Sequence, residues 1–136
     1  MRLLLDTNVI LDIALGREPH FSDSAALFKK IDKESMLGFI TATTITDIYY
    51  IAKKYLGHQR TLDFIGNLIE AIDIIGIDKK VIMVSLTSQF SDLEDAIQSV
   101  AADINNVDYI ITRNPKDFIK SEIKVLTPND FLELNL

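Results

Sequence analysis

The sequence predicts an α/β protein with a mostly parallel sheet, on three observations. Short apolar runs of strand length alternate with segments of helical periodicity along the whole chain. The run Tyr109 to Thr112 shows no polar alternation, as in strands covered on both faces. No linker, low-complexity tract or internal repeat interrupts the 136 residues, a length that buries one good core, so a single domain over 1–136 is expected.

The elements follow in order. Leu3 to Leu5 reads as a buried first strand. Asn8 to Leu15 carries Val9, Ile10, Ile13 and Ala14 at helical spacing until Gly16 and Pro19 stop it. Ser22 or Asp23 is placed to cap a second helix that buries Ala26, Leu27 and Ile31. Leu37 to Ile40 is the second strand. Thr44 starts a helix whose inner face is Ile45, Ile48, Tyr49, Ala52 and Tyr55, ending at Gly57. A helix over about Thr61 to Ala71 leads into the strand Ile72 to Ile75. Asp78 caps a helix carrying Val81, Ile82 and Leu86, and Asp92 to Ile104 forms another with Leu93, Ala96, Ile97, Val100 and Ala101 inward. After the strand Tyr109 to Thr112, Asn114 to Phe118 is a turn or short helix. Val125 to Thr127 is the last strand, and Pro128 opens a final short helix over Asn129 to Leu134.

Composition narrows the function classes. Hydrophobic residues at 48% and charged residues at 25% describe an ordinary folded protein. The apolar runs are too short to span a bilayer, and the chain enters its first strand without a cleavable signal, so a cytoplasmic location is expected. The sequence has no cysteine, which excludes disulfides, thiolate metal sites and a thiol nucleophile. Neither His20 nor His58 has zinc-like spacing. The net charge of −6 argues against a broad electrostatic grip on nucleic acid. It leaves a nuclease open, because carboxylates loaded with divalent cations present a far less negative face.

Several acids stand at similar places in the alternation. Asp6 ends the first strand, Asp47 lies in the first turns of a helix, Asp92 and Asp95 open another, and Asp117 follows the fourth strand. In a parallel sheet these positions can converge at one edge. Each also has a plainer reading. Asp6, Thr7 and Asn8 are all good N-caps. Thr44-Ile45-Thr46-Asp47 and Ser91-Asp92-Leu93-Glu94 fit capping boxes. Asp117 alone starts a turn. Asp92 and Asp95, three apart, share a helix face. Clustered carboxylates repel one another and call for a cation; oxygen ligands favour Mg²⁺ or Mn²⁺.

The order and spacing of Leu5-Asp6-Thr7-Asn8-Val9-Ile10-Leu11-Asp12, of Thr41-Ala42-Thr43-Thr44-Ile45-Thr46-Asp47-Ile48, and of Leu93-Glu94-Asp95-Ala96 followed by Asp108 to Phe118 resemble the PIN-domain family of metal-dependent ribonucleases, most closely the VapC-type toxins. The resemblance spans nearly the whole chain. It implies a three-layer PIN-like fold, a central sheet of about five strands flanked by helices. It also implies RNA phosphodiester hydrolysis with one or two Mg²⁺ or Mn²⁺ ions, leaving a 5′-phosphate. Asp6 and Asp95 match the family's metal-binding aspartates. Asp47 stands where the family usually has glutamate, and Asn114 where many members have a fourth acid; both are implied to serve catalysis. Asp92 and Asp117 are the acids placed to complete the metal site. Thr7, Asn8, Thr112, Arg113 and Lys116 are implied to contact phosphate or support the acids. The implied partners are an RNA substrate, a small antitoxin that sets Arg or Lys near the carboxylates, and a second copy in a homodimer, for which Tyr49, Tyr50 and Tyr55 offer an interface or else pack the core.

The departures at Asp47 and Asn114 motivate a second reading, a catalytically weakened PIN fold that binds RNA or protein. A haloacid-dehalogenase-like phosphotransferase is disfavoured, because Asn8 stands where that chemistry needs a second aspartate.

Overall fold

The computed structural model describes residues 1–33 and 36–135. Five parallel strands form one sheet in the order β3-β2-β1-β4-β5, with β1 Arg2–Leu5, β2 Leu37–Thr41, β3 Asp73–Ile75, β4 Tyr109–Ile111 and β5 Lys124–Leu126. The helices are α1 Thr7–Ala14, α2 His20–Lys33, α3 Ala42–Leu56, α4 His58–Ala71, α5 Lys79–Leu86, α6 Leu93–Ile104 and α7 Pro128–Glu133, with a 3₁₀ turn at Pro115–Phe118.

Strand β1 shows how the sequence makes three layers. Successive side chains of a strand point to opposite faces, so Leu3 and Leu5 enter the core built with α1, α2, α3, α4 and α7, through residues such as Ile10, Leu27, Ile48, Leu68 and Phe131. Leu4 enters the other core, with Val81 of α5 and Ile97, Ala101 and Ala102 of α6. All three leucines are 0% exposed, which explains why the run has no polar alternation. At Gly38 in β2 a Cβ would come within 2.8 Å of Ile72 Cγ2, so the close packing of that strand requires glycine.

From β1 the chain runs one way to β2 and β3, then returns to place β4 and β5 on the other side. The reversal opens a crevice at the carboxyl ends of β1 and β4, where ligands bind in sheets of this kind. Asp6 is the first residue beyond β1, and its N–H bonds Ile111 O at the end of β4 at 2.9 Å.

Several local expectations are corrected. Helix α3 begins at Ala42, so Thr44 is a buried residue inside the helix rather than its cap, and no capping box ties Asp47. Asp92, not Ser91, caps α6, accepting the Asp95 N–H at 3.0 Å. Helix α2 starts at His20, ahead of Ser22 and Asp23, and it buries Ser24 where Ala26 faces water. Tyr55, Leu86 and Leu93 are exposed, each lying at the end of its helix beyond the reach of the sheet. Helix α4 starts at His58, not Thr61, because Gly57 at φ +80° lets the chain turn from α3 straight into α4. Thr61 instead donates its hydroxyl to Gly57 O at 2.7 Å.

Candidate active site

At the crevice, Asp6, Thr7, Asn8, Asp47, Ile51, Asp92, Glu94, Asp95, Gln98 and Asp117 line an open pocket of about 320 Å³. Helix α1 begins where β1 ends, which fixes Asp6 at the floor; α3 contributes Asp47; α6 contributes Glu94, Asp95 and Gln98; the 3₁₀ turn contributes Asp117.

Asp6 is 7% exposed and is held on both oxygens. Its Oδ1 accepts the Thr7 N–H at 2.8 Å and the Gln98 side-chain N–H at 3.0 Å, and its Oδ2 accepts the Thr112 hydroxyl at 2.8 Å. Asp6 is thus an N-cap as well as a pocket residue, accepting from the first helical residue. The Thr7 hydroxyl lies 3.0 Å from that of Thr44, which in turn lies 3.3 Å from Thr41 Oγ1, so buried hydroxyls join the starts of α1 and α3.

The other acids crowd one another. A hydrogen bond shared with Asp47 is the chief cause that pushes the Glu94 carboxyl up to about 8, followed by desolvation and the charges of Asp47, Asp6 and Asp92. Glu94 stays largely open to water, which is why burial ranks second there. Asp95 is pushed up to about 7, first by desolvation and then by the negative charges of Asp92, Asp6 and Asp117. Among the described residues, no Lys, Arg or His lines the pocket to offset them.

Of the residues singled out from sequence, Asp6, Asp47, Asp92, Asp95, Asp117, Thr7 and Asn8 come together in this pocket. Thr112 reaches it through its bond to Asp6, and its hydroxyl also accepts the Asn114 N–H at 3.1 Å. Asn114, Arg113 and Lys116 are not among the lining residues. Arg113 sets its Nε 2.9 Å from Oδ2 of the fully buried Asp12, whose Oδ1 accepts from Arg17 Nε at 3.0 Å.

Sequence reasoning missed Glu94, Gln98 and Ile51. Glu94 looked like a capping-box acid. The available signal for Gln98 was its amide among Ala96, Ile97, Ala101 and Ala102, on a stretch otherwise built for burial. Ile51 gave none.

Among the described residues, no three of the His, Asp and Glu side chains are gathered closely enough to hold an ion as they stand. The donor chemistry nonetheless fits a hard cation: the lining offers carboxylate and amide oxygens and no sulfur or imidazole. A cation that keeps several of its waters needs few protein ligands.

A family model described as PIN domain matches residues 2–116. The chain belongs to the PIN-domain family. Among PIN-domain relatives, Ribonuclease VapC1 of Aquifex aeolicus (strain VF5) is 26% identical over 137 residues, covering 97% of this chain and 94% of its own length. The toxin-antitoxin complex from Klebsiella pneumoniae holds a chain 28% identical that superposes with a TM-score of 0.69, covering 93% of this chain and 97% of its own. DNA-bound VapBC from Salmonella typhimurium superposes with a TM-score of 0.71 at 18% identity, over 94% of this chain and 98% of its own, a likeness of fold.

Proposed function

We propose that this PIN domain is an endoribonuclease that hydrolyses RNA phosphodiester bonds with Mg²⁺ or Mn²⁺, and that it is the toxin of a toxin-antitoxin pair. The observation that carries the reading is the pocket itself: six carboxylates at the sheet's switch point, with no basic residue beside them among the described residues. The likeness to Ribonuclease VapC1 supplies the substrate class.

Asp6 and Asp95 would hold the cation, with Asp92 and Asp117 beside them. Bound there, Mg²⁺ or Mn²⁺ supplies an activated water and neutralises charge on the phosphate. The chain's own groups do the rest. Thr7, Gln98 and Thr112 keep the Asp6 carboxylate in one orientation. The Asp47 and Glu94 carboxyls share a hydrogen bond, which sets Asp47 of α3 beside α6, where it would help hold the cation or position a water. Asp47 thereby works with the longer Glu94 rather than alone. Asn114 is an auxiliary through its place beside Thr112. Hydrolysis breaks the P–O3′ bond and leaves a 5′-phosphate and a 3′-hydroxyl.

A small antitoxin is the partner this pocket calls for, one that lays an Arg or Lys over the carboxylates. Among the described residues no helix is long and apolar enough to cross a membrane.

The test is cleavage of a mixed RNA pool with Mg²⁺, Mn²⁺ or chelator. Metal-dependent cleavage that Asp6→Asn abolishes is the expected result; full Mn²⁺-dependent cleavage by Asp6→Asn would overturn the assignment. Carboxylate-dependent Mn²⁺ binding without cleavage would favour the weakened, binding-only PIN fold.

A further inference from the structure

We infer that Gln98 is a positioning residue for Asp6, kept in the fold for its amide rather than for its packing, and that cation affinity in the pocket depends on it. The inference rests on the proposed reading of the pocket as a divalent-cation site.

Gln98 is 1% exposed, on a stretch of α6 where Ala96, Ile97, Ala101 and Ala102 are also buried. Its Nε2 donates to Asp6 Oδ1 at 3.0 Å, while its Oε1 is buried with no hydrogen-bond partner among the described residues. The reverse amide orientation would set Oε1 against a carboxylate oxygen, acceptor on acceptor. An orphaned buried acceptor loses its hydration with no return, and a long side chain fixed in one rotamer loses conformational freedom. Methionine has nearly the same length and shape and would fill the space with neither an orphan nor a polar group. Judged by packing alone, glutamine is the poorer residue at this position. What it supplies is the bond to Asp6.

The Thr7 N–H holds the same oxygen and Thr112 the other, so the carboxylate plane is set without Gln98. What Gln98 adds is a donor from α6. It lies three residues beyond Asp95 on that helix, hence on the same face. The amide therefore ties the helix that carries Asp95 to the strand end that carries Asp6, and so sets the spacing of the two principal acids.

The experiment compares the full chain with Gln98→Met and Asp95→Asn, reading Mn²⁺ affinity by titration calorimetry and the melting temperature without metal. Partners that orient metal ligands typically command 10–100-fold in affinity. Gln98→Met is expected to weaken Mn²⁺ binding by about that factor while still folding cooperatively without metal. Undiminished Mn²⁺ affinity in Gln98→Met, with binding lost in Asp95→Asn, overturns this inference alone. Loss of folding in Gln98→Met overturns it too, since that marks a packing role. If the natural chain binds Mn²⁺ no better than Asp95→Asn, the reading of the pocket falls and this inference with it.

Discussion

Asp12 and Asp6 stand six residues apart on and beside α1, and the fold treats their charges differently. Asp12 is fully buried with each oxygen against an arginine, Arg17 at 3.0 Å and Arg113 at 2.9 Å. Asp6 opens onto a pocket shared with Asp47, Asp92, Glu94, Asp95 and Asp117, and among the described residues no Lys, Arg or His lines it. The first carboxylate is neutralised by the chain itself and serves to fasten α1 to the loop after β4. The second group is left unneutralised, at a cost in repulsion, which is the condition for attracting a cation from outside.

Breaking the pocket should give the largest effect. Loss of a carboxylate inside it should exceed the 10–100-fold typical of supporting partners, so Asp95→Asn is expected to lower RNA cleavage by about 10³-fold, or about 4 kcal/mol, without unfolding the chain. Activity within tenfold of the natural chain would remove Asp95 from the chemistry.

Breaking the Asp12 cluster should instead cost stability. Arg113→Met leaves a buried carboxylate with one arginine, and disrupting such pairs costs about 3–5 kcal/mol. The Arg113 contact is a charge-to-charge approach rather than an aligned hydrogen bond, and Arg17 stays, so about 3 kcal/mol is expected by urea unfolding. A loss below about 1 kcal/mol would mean that the pair behaves as a surface ion pair.

A cation should sharpen the contrast. Mg²⁺ at a hundred times its dissociation constant stabilises a binding fold by about 2.7 kcal/mol. Calorimetry should show this in the natural chain, less of it in Asp95→Asn, and the full rise in Arg113→Met.

Without metal, pH should act on the pocket in the opposite sense to the usual carboxylate. Asp95 is raised to about 7 and Glu94 to about 8, so the folded chain binds more protons than the unfolded one between pH 4 and 8. Their contribution is complete below pH 4 and is lost as pH rises through 7 to 8. Both groups are partly open to water, so solvent screening reduces the effect to on the order of 1 kcal/mol. Melting temperatures of the chelated chain should fall between pH 5.5 and 8.5 and level off when Mg²⁺ is added; a rise with pH in chelator would contradict the crowding of these acids. The smallest change is expected at Tyr50, 67% exposed, where alanine should shift stability by less than about 0.5 kcal/mol.

Much of this contrast was legible in the residues. The apolar runs around Leu3 to Leu5 and Tyr109 to Thr112 are continuous because both faces of the sheet are covered, so their role in a parallel sheet could be read directly. The acids that share the pocket lie just past strand ends or near helix starts, positions that chain order reveals. Arg113 was harder. It looked suited to phosphate, and its partner Asp12 lies 101 positions away in a helix that reads as simply amphipathic. Gln98 was obscured similarly, because a lone amide in a buried helix gives no sign of which distant atom it meets. Helix starts failed where Thr44 looked like a cap, since a tertiary contact with Thr7 and a local one with Thr41, the residue before the helix, claimed its hydroxyl.

The clamp on Asp6 also bears on when this protein first becomes competent. Its grip needs Gln98, 92 positions later, and Thr112, 106 positions later. A growing polypeptide lengthens by about 5–20 residues per second, so a ribosome must work for many seconds after Asp6 emerges before either partner exists. Strand β1 spends that interval without its neighbour β4, and the acids cannot yet be arrayed around a phosphate. On the proposed nuclease reading, a nascent chain is therefore harmless to RNA until α6 and β4 have been made.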